Sequence, residues 1–100
     1  MPKVYVQKWI EYEDNWGERP DGYSLHLRLE DIPKFVAQVD QVEVDYLAKA
    51  RQTNPEAKLD VCDYPSGQSF EKEVDDETYK KILTSEFGIK IFGKWSELEL

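Results

Sequence analysis

Among the side chains able to do chemistry, the single histidine comes first: His26 stands two residues after Ser24 and two before Arg28. A serine–histidine pair supports nucleophilic catalysis only when the imidazole reaches the hydroxyl proton and a third group orients the ring. On one strand the two residues would share a face about 7 Å apart, too far for a direct pair. His26 therefore reads as a general base, a ligand contact or an ordinary exposed histidine, with the last the default. Cys62 is the only cysteine. One thiol allows neither an intrachain disulfide nor a thiolate metal cluster, and Cys62 reads as buried filler. Glu11-x-Glu13-x-Asn15 spaces oxygens as a calcium loop does, but Trp16 stands at the position that needs Gly and Gly22 at the position that needs a bidentate acid. A metal-dependent nuclease would draw on Asp21 after Pro20 and on Glu56-Ala57-Lys58, a triplet that chance supplies in so charged a chain. No glycine-rich phosphate cradle is present. The expectation is no catalytic set, no metal ligands and no cofactor.

The least ordinary segment is Trp16-Gly17-Glu18-Arg19-Pro20-Asp21-Gly22-Tyr23. It joins two aromatic faces and a forked cation to glycines that let backbone approach a partner. Such a set suits a protein hot spot or a nucleotide-like ligand. The ordinary alternative is that Trp16 folds back over the sheet edge and Arg19 pairs with Glu18 or Asp21. Tyr5 and Trp9 extend the same surface or mark a homodimer face. The candidate binding residues are thus Tyr5, Trp9, Trp16, Arg19, Tyr23, His26 and Arg28.

These residues must be carried by a small number of elements. Lys3 to Glu13 is β-favouring, with apolar residues on both faces, and reads as a strand covered on both sides. Asp14 to Gly22 reads as a loop, and Tyr23 to Leu29 as a strand with Tyr23, Leu25, Leu27 and Leu29 inward and Ser24, His26 and Arg28 outward. Asp31 caps a helix whose apolar stripe follows Ile32, Phe35, Val36, Val39, Val42, Tyr46, Leu47 and Ala50, closed by Asn54-Pro55. Lys58 to Tyr64 is a third strand, Pro65-Ser66-Gly67 a turn, and Gln68 to Val74 a fourth strand. Asp75 or Asp76 caps a second helix, which Gly88 ends in the left-handed conformation. Ile89 to Phe92 is a last short strand, with Trp95 just beyond. The spacing predicts a ββαββαβ order in a single α+β domain over 1–100: a mostly antiparallel sheet with two helices on one face.

The chain has 100 residues and a formal charge of −8. That length supports one core. The charge disfavours nucleic-acid backbones and anionic membranes as partners. By segment the net charge is −1 over 1–28, −3 over 29–50, −1 over 51–70, −3 over 71–88 and 0 over 89–100. The excess sits with the helices. An anionic ligand would therefore use the sheet side, where Arg19, Arg28, Lys90 and Lys94 would have to converge. Met1-Pro2-Lys3 opens without a basic leader or apolar core, and no apolar run is long enough to span a bilayer. A cytoplasmic setting is expected.

The run WGERPDGYSLHL, residues 16–27, resembles a stretch of small uncharacterised phage-type proteins. That resemblance covers about the first third of the chain and carries over no ligand or catalytic residue. It implies a small protein of the infected cytoplasm that acts by binding. The function expected on these grounds is a small acidic non-enzymatic interaction protein, an inhibitor of a host defence protein. The alternative is an oligomer that sequesters a nucleotide-type ligand.

Overall fold

The computed structural model describes residues 1–59 and 61–98; Asp60, inside the expected third strand, lies outside them. Four strands, β1 (Lys3–Glu13), β2 (Gly17–His26), β3 (Val61–Glu73) and β4 (Ile89–Ile91), form one sheet in the order β3-β1-β2-β4. Every neighbouring pair is antiparallel. Helix α1 (Asp31–Thr53) follows β2, helix α2 (Asp76–Leu83) follows β3, and a 3-10 turn at Trp95–Leu98 follows β4. The α+β class is the one the sequence predicts, and the elements follow the predicted order with the expected third and fourth strands joined into one.

Strand β1 is covered on both sides, because its alternate residues enter two different layers. Val4 and Val6 join Tyr23, Leu25, Val74, Ile82 and Leu98 in an apolar core, with Phe70, Tyr79, Ile89 and Ile91 packed around it. Trp9 points the other way and meets Phe35 of α1 edge-on at 6.0 Å between ring centroids. Ile82 of α2 and Phe35 of α1 therefore cover opposite faces, which corrects the expectation of both helices on one face. Burying Trp9 and His26 requires a lid on the second face, and α1 supplies it.

The two expected breaks in the sheet are absorbed as irregular strand. Only Asp14–Trp16 separates β1 from β2, with Asn15 at φ 75° and the Trp16 amide donating to the Glu13 carbonyl at 3.0 Å. Gly17 to Gly22 is strand, not loop. Gly22, at φ 71°, sits so close to the Ile91 carbonyl that a Cβ there would collide with it. Pro20 is tolerated because β4 pairs β2 only over Tyr23–Leu25, leaving β2 without an outer neighbour at Pro20.

Likewise, Pro65-Ser66-Gly67 is no hairpin turn. The expected third and fourth strands are two halves of β3, both paired to β1, with a register shift opposite Gln7. Buried Gln7 explains the bulge: its Nε2 donates to the carbonyls of Lys8, Ser66 and Gly67 at 3.0, 3.1 and 3.3 Å. The side chain satisfies carbonyls that the ladder leaves free.

Asp75 caps α2 by accepting from the Thr78 amide at 2.7 Å, as expected. Asp31 does not cap α1. The N-cap is Glu30, without a side-chain bond, and Asp31 is the first helical residue, buried 3.8 Å from Arg28. Gly88 lies beyond the α2 C-cap at Thr84; its positive φ of 144° serves a close approach to His26 instead.

Candidate functional site

The second sheet face carries the chemistry, in two adjoining parts. The first is a buried polar chain. Trp9 Nε1 donates to Ser24 Oγ at 2.8 Å, Ser24 Oγ lies 2.7 Å from His26 Nε2, and His26 Nδ1 lies 2.7 Å from the Phe87 carbonyl oxygen. A carbonyl only accepts, so Nδ1 carries the proton, Nε2 offers its lone pair and Ser24 donates to it. The separation argued from strand geometry is thereby corrected: the backbone spacing holds, but the imidazole leans back along the strand and closes the gap. The default of an exposed histidine also fails, since His26 and Ser24 are fully buried and Phe35 packs edge-on against the imidazole at 5.1 Å. Burial pushes the His26 pKa below its ordinary value, against the opposing pull of the Phe87 carbonyl and Asp31. The arrangement has the bonding of a serine–histidine dyad, with one of the two Ser24 lone pairs taken by the indole and the hydroxyl fully buried. Its evident work is to satisfy three buried polar groups.

The second part is a charge cluster outside Trp9. Alternation on β1, β2 and β3 brings Glu11, Asp21 and Asp63 together, each offering an oxygen within 4.8 Å of the others. Lys90 Nζ lies 3.4 Å from Asp21 and 4.0 Å from Asp63, and over the Trp9 ring at 4.7 Å. Partial burial and a hydrogen bond shared with Asp21 push Asp63 up to about 7, with Lys90 pulling the other way. Asp63 therefore keeps its proton into the neutral range. Spacing along the chain does not reveal this set, because it depends on β3 lying beside β1. The one acid that the nuclease pattern shared with it is Asp21; Glu56 and Lys58 stand in the segment after α1, outside the cluster.

The sequence-predicted binding residues divide sharply. Trp9, Tyr23 and His26 are buried in the fold and Tyr5 is half-buried beside them, so none of the first three offers a free surface. Burial raises the Tyr23 pKa, with Glu97 adding to the effect. Arg28 is exposed and loosely paired with Glu30 and Asp31 at 3.9 and 3.8 Å. Arg19 pairs with neither Glu18 nor Asp21. It bridges Glu11 at 2.9 Å and Glu13 at 2.8 Å across the hairpin, because register places Arg19 opposite Glu11. Trp16 does not fold back; it stands 79% exposed at the tip of the β1–β2 turn. Cys62 is half-buried. Sequence reasoning passed over Phe92, which is 80% exposed.

Comparison with known proteins finds no matching family model, no matching curated protein and no matching solved structure. No helix among the described residues is long and apolar enough to cross a membrane.

Proposed function

We propose that this protein acts by binding another protein, without catalysis, and that Trp16 is its anchor. The observation that carries this reading is the exposed indole on a stiffened support. Trp16 sits on a three-residue turn, and the strands behind it are clamped by Arg19 between Glu11 and Glu13. A rigid, projecting tryptophan presents large contact area at little entropic cost, the character of an interface hot spot. Glu13, Asp14 and Glu18 surround it in sequence, so the fitting partner has an apolar pocket within a basic surface. The resemblance of residues 16–27 to phage-type proteins extends the proposal to a host defence protein, inhibited in the host cytoplasm.

The ligand-binding alternative would need cations gathered on the sheet side. Arg19, Arg28 and Lys90 each face carboxylates instead, which gives a nucleotide reading no support. The test is quantitative capture from lysate with wild type and with Trp16→Ala, the captured protein then titrated against both. A partner lost with Trp16→Ala and weakened by salt fits the proposal. A partner held equally by both chains overturns the anchor, and no specific capture at low salt overturns the function.

A further inference from the structure

The 23-residue helix α1 outruns the surface that should support it. Its stripe Ile32, Phe35, Val39, Val42 and Tyr46 keeps one helical face by its steps of three and four. Ile32 and Phe35 are buried and Val39 half-buried, but Val42 is 68% and Tyr46 66% exposed. At Glu43 the helix has reached the edge of the sheet, where the Glu43 carboxylate accepts from the Asp63 amide at 3.1 Å. Beyond that point its inner side, Leu47 and Ala50, stays half-buried, and Tyr46 borders a shallow cavity with Leu59 and Val61 while most of its ring stands in solvent. Valines are weak helix formers in solvent, and short helical stretches depend on packing of an apolar face.

Charge identifies what covers the stripe. Asp40, Glu43 and Asp45 precede Tyr46, whereas Lys49 and Arg51 follow it. We infer that a second copy of this chain docks here, α1 against α1 in antiparallel fashion and crossing near Tyr46. A two-fold axis there sets Val42 of one copy against Ala50 of the other, and brings the exposed Asp45 of one to the flank where Lys49 of the other lies. A parallel arrangement would oppose acid to acid. The antiparallel one is self-complementary, as a two-fold interface must be. Its residues are those of α1 and not of the Trp16 turn, so this inference stands apart from the partner-binding proposal.

Sedimentation equilibrium of the full chain tests it. Wild type is expected at twice 11.8 kDa. Tyr46→Glu, exposed and so expected to keep its circular dichroism and melting midpoint, is expected to be monomeric. Lys49→Glu is expected to raise the dimer dissociation constant at least about tenfold. Mixing Lys49→Glu with Asp45→Lys is expected to restore association between the two unlike chains. A monomeric wild type, a dimeric Tyr46→Glu, or charge variants that associate like wild type each overturns the proposal.

Discussion

Replacing Ser24 with alanine removes one small atom and strands two larger groups. The Trp9 indole N–H loses its acceptor at 2.8 Å, and His26 Nε2 loses its donor at 2.7 Å. The imidazole cannot recover by moving its proton, because Nδ1–H is held by the Phe87 carbonyl. Each orphaned buried polar group costs about 1–3 kcal/mol, so Ser24→Ala is expected to cost about 2–4 kcal/mol. That is a large part of the ~5–15 kcal/mol that holds a domain of this kind together. It corresponds to a fall of roughly 8–32 °C in melting temperature, at about 4–8 °C per kcal/mol. Urea and thermal unfolding at neutral pH, followed by tryptophan fluorescence, read it directly. A companion chain with Trp9→Phe, Ser24→Ala and His26→Phe removes every member of the polar chain together. It is expected to lie closer to wild type than Ser24→Ala does, since the only group that loses its partner is the half-buried Phe87 carbonyl. A Ser24→Ala change within about 0.5 kcal/mol of wild type, the range of an ordinary surface substitution, would refute the reasoning.

Asp63→Asn is expected to stabilise the protein at pH 8 and to leave it unchanged near pH 4. A folded-state pKa of about 7, raised from 3.8, means stability is lost as pH rises through that window. Solvent reaching the pair damps the full displacement to about 1 kcal/mol, measurable as a difference between variant and wild-type urea midpoints at the two pH values. His26 acts in the opposite sense: its lowered pKa means stability present above about 6.5 is lost as pH falls below it, and His26→Phe beside Ser24→Ala should flatten that acid limb. Phe35→Ala opens the lid over Trp9 and His26 and is expected to cost about 3–5 kcal/mol, with loss of protection of the Trp9 indole N–H in hydrogen exchange.

Local pattern revealed most of the elements because each obeys its own period. The stripe through Ile32 and Phe35 marks α1, and the alternation of Tyr23 and Leu25 marks β2. Gly and Pro misled where the sheet itself accommodates them. Gly22 and Pro20 lie at a close approach and an unpaired edge, and the Pro65–Gly67 bulge is filled by Gln7, a residue far away in sequence. The carboxylate cluster was invisible for a related reason, since Glu11 and Asp63 meet only through the β1–β3 register. Of the aromatic candidates, alternation could not tell which face a helix would cover. Trp9 and His26 went beneath Phe35, whereas Trp16, beyond the last ladder pair, stayed in solvent. Arg19 was legible as a cation with acidic neighbours, but its true partners lie across the strand pair.

The most direct test of the binding proposal is the affinity of the captured partner for wild type and for Trp16→Ala, with Phe92→Ala as an equally exposed control. Truncating a hot-spot tryptophan costs about 2 kcal/mol or more, so Trp16→Ala is expected to bind roughly 30-fold more weakly at unchanged melting temperature. Phe92→Ala is expected to bind as wild type does. Equal affinity of Trp16→Ala and wild type for that partner would contradict the assignment of Trp16 as the anchor.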